Sequence, residues 1–160
     1  MNITLSQLSK SDAMSIPFDG NIEQTHDNDR FVVRVTTAEV RGIPTDTEKS
    51  ITLRKRLSTL YHEKAEGSYI KLEVKTQIKQ NTFQKWMNGS RNVSRKELAK
   101  FAVGLALDME IVDELFRMIG HSLDYENNRF DFIVACAIRD KDDIEQFGND
   151  VEKYCGISIF

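Results

Sequence analysis

The sequence is poor in residues that interrupt helices and in residues that cross-link chains. Its 160 residues include two prolines, eight glycines and two cysteines. So few prolines and glycines favour helices over a fold that contains many tight turns. The cysteines, Cys136 and Cys155, lie in a chain without an export signal, which indicates reduced thiols with a structural role.

Long apolar runs are missing as well. No stretch approaches the roughly 20 apolar residues that are needed to cross a bilayer. The N-terminal segment MNITLSQLSKSDAMS has no basic start followed by an apolar stretch, so it does not resemble a signal peptide. We therefore expect a cytoplasmic protein with no membrane partner.

Catalytic and metal-binding motifs are also lacking. The histidines His26, His62 and His121 are far apart, and none forms a metal-ligand pattern with a cysteine. No nucleophile elbow, phosphate loop or dinucleotide fingerprint occurs. The acidic run at 140–143 suits helix capping and solvated loops better than paired catalytic carboxylates. The sequence therefore predicts no enzyme activity, no metal and no cofactor.

What the chain does have is a polarised distribution of charge. Residues 54–100 contain twelve Lys and Arg against four Asp and Glu, a net charge of +8. Residues 101–160 contain five against thirteen, a net charge of −8, and residues 1–53 contain five against eight, a net charge of −3. Clustered cations release counterions from phosphates, so the basic centre suggests a face that binds a polyanion. The alternative is that these side chains are ordinary solvated helix faces.

Residues 1–47 form a predicted N-terminal arm. The first 28 residues are polar and aperiodic, which predicts a flexible arm with one short ordered piece at most. The segment 30–41, RFVVRVTTAEVR, is rich in β-branched residues and predicts a short β-strand or extended segment. A lone strand is not stable by itself, so it must pair within the arm, with a second copy or with another partner.

Helical periodicity begins near Thr47, and the first predicted helix has apolar residues at i, i+4, i+7 and i+8. Ser68 can cap a second helix over 69–76, and a third is predicted over 80–87, stopped by Asn88 and Gly89. The apolar face of the first helix comprises Leu53, Leu57, Leu60 and Tyr61.

Four further helices follow at the same apolar spacing. The sequence Ser94-Arg95-Lys96-Glu97 is a capping box for the fourth, and Asp108 is placed to cap the fifth. The apolar faces are Leu98, Phe101, Ala102 and Leu105; then Val112, Leu115, Phe116 and Ile119; then Phe130, Ile133, Val134 and Ala137; and finally Ile144, Phe147 and Val151. The apolar tail at 156–160 is expected to dock on another surface. We therefore predict a mainly α chain with a five-helix core at 48–123 and a C-terminal helical hairpin at 124–160.

Two short helices joined by a tight turn, within a five-helix unit, form the arrangement that places a helix in the major groove of DNA. The segment TQIKQNTFQKWMNGSRNVSRKELAKFAVGLAL resembles the xenobiotic-response-element family of phage-repressor-like helix-turn-helix domains, and the likeness covers about half of the chain. The matching positions are the buried residue after the turn, the apolar residues of the recognition helix, the glycine stop, and the start and core of the fourth helix: Ile78; Phe83 and Trp86; Asn88 and Gly89; Ser94, Leu98 and Ala102. The spacing of Trp86 from Phe83 indicates a core residue rather than a platform for base stacking.

Three residues depart from the pattern of that family. Gln77 stands where the family usually has glycine in the turn, and Glu73 stands where a small alanine is expected. Lys79 stands where a serine or threonine would cap the recognition helix. A glutamine can adopt the turn geometry at modest strain, so the fold tolerates these changes.

The resemblance implies that exposed residues around the third helix contact a duplex. Gln and Asn side chains can pair with adenine edges, and Lys can meet guanine or a phosphate. The amides at the start of the fourth helix can accept a phosphate, and cations of the first helix would add contacts to the backbone. The predicted DNA-binding residues are Lys79, Gln80, Asn81, Thr82, Gln84, Lys85, Arg91, Ser94, Lys96, Arg54, Lys55 and Arg56. The alternative is that these polar side chains only face water.

These features predict a DNA-binding transcriptional regulator that acts as a homodimer, because two half-sites on DNA require two copies. The N-terminal strand or the acidic C-terminal helices can supply the dimer interface. The alternative is an antitoxin-like or adaptor module on the same fold, with a protein partner bound through that strand or those helices. RNA binding by the same basic surface is a further alternative.

Overall fold

Helices dominate the computed structural model, which describes residues 4–18 and 48–160. Across these two ranges the chain forms helices and no strand, which confirms the prediction of a mainly α chain. The predicted strand at 30–41 lies outside the described residues. The helices of the described ranges are two short 3₁₀ helices, Leu5–Gln7 and Lys10–Ser15, followed by α1 (Glu48–Lys64), α2 (Tyr69–Thr76), α3 (Gln80–Met87), α4 (Arg95–Gly104), α5 (Met109–Met118), α6 (Arg129–Asp140) and α7 (Ile144–Cys155).

Side-chain caps fix where several helices begin. The hydroxyl of Ser68 accepts a backbone amide of α2 at 3.2 Å, and the hydroxyl of Ser94 accepts a backbone amide of α4 at 3.1 Å. Each cap satisfies an amide that has no partner within its helix, and both predictions are confirmed. The prediction that the side chain of Asp108 caps α5 is wrong. Asp108 occupies the N-cap position of α5 without a capping hydrogen bond, and its carboxylate lies 3.4 Å from the ammonium of Lys141.

A single hydrophobic core extends through α1 to α7. Every apolar residue that the helical spacing places on the inner faces of α1 and α4 to α7 is buried. Each large apolar side chain contributes on the order of 1.5–3 kcal/mol when it is removed from water. The period of the apolar residues was therefore sufficient to orient these helices.

Helix α6 is buried on all sides rather than on one face. Its residues 130–138 are all buried, including the polar Asp131. Helices α4, α5 and α7 pack against it, and so do the two 3₁₀ helices at the N-terminus. The C-terminal helices are therefore packed directly on the fourth and fifth helices.

Residues 4–18 pack against α6 and α7 through charged side chains. The guanidinium of Arg139 donates to two backbone carbonyls of this segment, those of Leu5 and Leu8. The ammonium of Lys10 lies 2.6 Å from a carboxylate oxygen of Asp142 and 2.6 Å from one of Asp150. The polar composition of this segment predicts a flexible arm, but its backbone carbonyls and its lysine find partners on α6, on α7 and in the turn between them.

A buried ion pair joins the start of α4 to α6. The side chains of Arg95 and Asp131 pair with each other and are 7% and 1% exposed as residues. Arg95 also donates to the carbonyl of His121 at 2.9 Å and lies 5.2 Å from the ring centroid of Phe116. The other carboxylate oxygen of Asp131 accepts the amide of Asp124 at 2.9 Å. Removing one partner from such a pair costs about 3–5 kcal/mol, because the other charge remains buried alone.

Both cysteines are buried, and their thiols are free. Burial raises the pKa of the Cys136 thiol and of the Cys155 thiol to about 11. Both thiols are therefore protonated at neutral pH, which is consistent with the structural role that the sequence indicates.

Gly104 allows α2 and α4 to approach closely. A Cβ atom added at Gly104 would lie 2.2 Å from the carbonyl oxygen of Lys75 and 2.7 Å from the Cα of Thr76. These atoms belong to the last turn of α2, where the chain enters the connection to α3. The absence of a side chain at Gly104 therefore sets the position of the turn between α2 and α3.

We expect Gly104→Ala to lower the free energy of unfolding by about 1–3 kcal/mol, because backbone atoms that cannot move away meet the new methyl group. Urea denaturation of the full chain measures the loss. Gly148→Ala is the matched control, because Gly148 is also helical and its added Cβ meets only the outer edge of the Phe160 ring. Equal losses in the two variants would contradict a specific contact at Gly104.

Candidate nucleic-acid interface

Helices α2 and α3 are joined by residues 77–79, and a left-handed residue makes the turn tight. Gln77 has φ 60° and ψ 24°, and its amide donates to the carbonyl of Glu73 at 2.8 Å. The hydroxyl of Thr76 donates to the carbonyl of Leu72 at 2.6 Å and accepts the amide of Ile78 at 3.1 Å. Ile78 is buried, as predicted for the residue after the turn.

Aromatic side chains hold α3 in place. Phe83 and Trp86 are each 1% exposed, and the ring of Phe83 lies 4.8 Å from that of Tyr61 on α1. Both rings lie 6.3 Å from the ring of Phe101 on α4. Trp86 is therefore a core residue, as its spacing predicts.

The carboxylate of Glu97 connects α3 to α4. One oxygen accepts the indole N–H of Trp86 at 3.0 Å, and the other pairs with Arg91. The capping-box pattern predicts that Glu97 reaches back to the amide of Ser94. That half of the box is wrong, because the buried indole and the guanidinium occupy the carboxylate instead.

The polar face of α3 points away from the core. Gln80, Asn81, Gln84 and Lys85 are exposed, whereas Thr82 is half-buried. Within an eight-residue helix, one face therefore packs and the opposite face presents two glutamines, an asparagine and a lysine to solvent.

Two residues that depart from the family pattern contact each other across the turn. The ammonium of Lys79 lies 2.7 Å from a carboxylate oxygen of Glu73, and the two side chains are 71% and 39% exposed. Lys79 occupies the N-cap position of α3 without a capping hydrogen bond. An exposed pair of this kind contributes about 0–1 kcal/mol, and it supplies no acceptor to the amides at the start of α3.

At the start of α4, the predicted phosphate-binding residues differ in their accessibility. Arg91 is exposed and pairs with Glu97, and Lys96 is half-buried. Ser94 is 6% exposed, and its hydroxyl is engaged in capping α4. The hydroxyl of Ser94 is therefore turned inward, while Arg91 remains at the surface.

The basic residues of α1 are spread over more than one direction. Lys55 is exposed, Arg54 is half-buried, and Arg56 lies beside α5 with its Nε 3.6 Å from a carboxylate oxygen of Glu114. Arg56 therefore belongs to the junction of α1 and α5.

A cleft of about 600 Å³ lies beside the first turn of α3, and we call it the basic cleft. It brings together the predicted residues Lys79, Thr82, Arg91 and Lys96. Lys100 was not among the predicted residues, although it follows Lys96 at i+4 on α4 and that spacing places the two lysines on one face. The side chains that close the basic cleft come from the tail, Ile159 and Phe160.

In the described part of the chain, no three His, Cys, Asp or Glu residues are grouped so that they could hold a metal ion. None of the helices over 4–18 and 48–160 has the length and apolar character needed to cross a membrane. Comparisons with protein-family models, with curated proteins and with solved structures found no match. The resemblance to phage-repressor-like domains therefore remains a prediction from the residues of α2 to α4.

We expect Gln77→Gly to raise the free energy of unfolding by about 0.5–1 kcal/mol. A left-handed residue other than glycine costs about 1–2 kcal/mol, and the greater freedom of glycine in the unfolded chain offsets part of the gain. Urea denaturation measures the change. Gln84→Gly is the matched control and should lower stability by about 1 kcal/mol, because Gln84 is an exposed glutamine in the interior of α3. A loss at Gln77 equal to that at Gln84 would contradict the strained turn.

Proposed function

We propose that the protein is a DNA-binding transcriptional regulator that uses α3 as its recognition helix and acts as a homodimer. The observation that carries the proposal is the exposed polar face of α3, on the side opposite the buried Phe83 and Trp86. Gln and Asn side chains on such a face suit the edges of adenine, and Lys85 suits guanine or a phosphate. One helix of this length contacts few bases, so two copies on two half-sites are needed for a specific complex.

The electrostatics around α3 support the same proposal. Residues 54–100, which include α3, carry a net charge of +8. The two carboxylates near the ends of α3, those of Glu73 and Glu97, each pair with a cation. Their negative charge is thereby offset, and the exposed face of α3 remains suited to a polyanion.

A second candidate function, an antitoxin-like or adaptor module, is favoured by the outer face of α2. Ile70 and Val74 are four residues apart on one face of this helix, and they are 78% and 69% exposed. Apolar side chains that stand together at the surface are typical of contacts with other proteins. A stoichiometric protein partner that copurifies without nucleic acid, and that Val74→Asp releases, would favour this function over DNA binding.

The DNA-binding proposal predicts that a randomised pool of duplexes yields an enriched sequence for the full chain. The variant Gln80→Ala with Lys85→Ala should lose about tenfold or more in affinity for that duplex, since each base contact of this kind discriminates by about 1–3 kcal/mol. Fluorescence anisotropy of the labelled duplex measures the affinity. Circular dichroism establishes that the variant is folded.

The matched control is Gln146→Ala with Lys153→Ala, which removes the same residue types from α7. This control should leave the affinity within about twofold, because α7 lies outside the proposed surface. Equal losses in the two double variants would contradict recognition by α3. Tighter binding of an RNA hairpin than of any duplex DNA at the same salt concentration would indicate that RNA, and not DNA, is the ligand.

A further inference from the structure

The basic cleft has the size of a site for a small molecule. Its volume of about 600 Å³ lies within the range of about 300–1,000 Å³ that is usual for ligand pockets. Four cationic side chains line it, and Glu97 is the acidic side chain that lines it with them. Since both oxygens of Glu97 are engaged by Trp86 and Arg91, the lining has an excess of positive charge.

Lys100 is the most deeply placed of these cations. The residue is 9% exposed, and among the described residues its ammonium makes no hydrogen bond and no ion pair. Burial lowers the pKa of Lys100, because the charged form loses hydration. The surroundings of a largely buried lysine hydrate its charge poorly, and an anion bound in the basic cleft would offset that loss of hydration.

An aromatic ring lies next to this ammonium. The Nζ atom of Lys100 is 5.6 Å from the centroid of the Phe160 ring, and Phe160 is 64% exposed. The ring lies against the backbone of α7 at Gly148, where an added Cβ would come within 2.4 Å of it. The basic cleft therefore offers cationic groups beside an accessible aromatic surface.

We propose that the basic cleft binds a nucleoside monophosphate, with its phosphate at Lys100 and Lys96 and its base against the ring of Phe160. A phosphate monoester carries about −1.5 to −2 charge at neutral pH. A ligand with this group therefore suits a site with several cations better than a ligand with one carboxylate does. A planar base stacks well on an aromatic ring. Lys100 and Phe160 do not belong to the exposed face of α3 that is proposed for DNA, whereas Lys96 is shared with the predicted DNA-binding residues.

Isothermal titration calorimetry of the full chain with AMP, GMP, CMP and UMP, and with inorganic phosphate, tests this site. At least one nucleotide should bind more tightly than inorganic phosphate. Lys100→Met should weaken that nucleotide about tenfold or more, because a charge-assisted hydrogen bond is lost. Phe160→Ala, which removes an exposed side chain, and Gly148→Ala, which displaces the same ring, should weaken the nucleotide and leave inorganic phosphate unchanged.

Lys153→Met is the matched control, because Lys153 also lies over a ring, 5.0 Å from the centroid of Tyr154, but does not line the basic cleft. It should leave nucleotide binding unchanged. Absence of binding by all four nucleotides, or equal weakening by Lys153→Met and Lys100→Met, would overturn the proposal. If inorganic phosphate binds as tightly as the nucleotides and Phe160→Ala changes neither affinity, the result would contradict the stacking of the base on Phe160. The thermal unfolding temperature of each variant separates a lost site from a lost fold.

Discussion

The position of α3 depends on two aromatic side chains and one hydrogen bond. Phe83 and Trp86 bury the inner face of α3 against α1 and α4, and the indole of Trp86 donates to Glu97 at 3.0 Å. A buried donor without an acceptor would cost about 1–3 kcal/mol, and the negative charge of Glu97 strengthens the bond. A helix of eight residues is not stable by itself in water, so these contacts keep α3 folded with its polar face outward.

Helix α4 connects α3 to the C-terminal helices. Its first turn carries Arg95, which pairs with Asp131 of α6, and Glu97, which holds Trp86 of α3. Arg95 and Glu97 are two residues apart on α4, and one contacts α6 while the other contacts α3. The basic surface around α3 and the acidic C-terminal helices therefore both contact α4, and the tail that follows α7 reaches the basic cleft through Phe160.

The helices and their inner faces could be predicted from the sequence, because apolar spacing and caps such as Ser68 and Ser94 act over a few residues. The partners of charged side chains could not be predicted in the same way. Lys10 meets Asp142 and Asp150, which are 132 and 140 positions away in the chain, and no local pattern indicates such contacts. Glu97 satisfies the spacing of a capping box, yet a buried indole competes for its carboxylate.

The same distinction between local patterns and long-range contacts applies to the candidate site. The exposure of Gln80, Asn81, Gln84 and Lys85 follows from the buried positions of Phe83 and Trp86, so the sequence was sufficient to place them. Lys100 was missed because a lysine at that position is expected to extend into solvent. The tail packs beside α4 and lines, together with Lys100, one part of the basic cleft, and no local pattern in the sequence indicates that contact.

The most direct measurement of the proposed role of α3 is the nuclear magnetic resonance footprint of a selected duplex on the full chain. Contact through α3 predicts that the amide and side-chain signals of Gln80, Asn81, Gln84 and Lys85 shift on binding. The signals of α7 should remain in place. Shifts that are confined to α6 and α7, with the signals of α3 unchanged in a saturated complex, would contradict it.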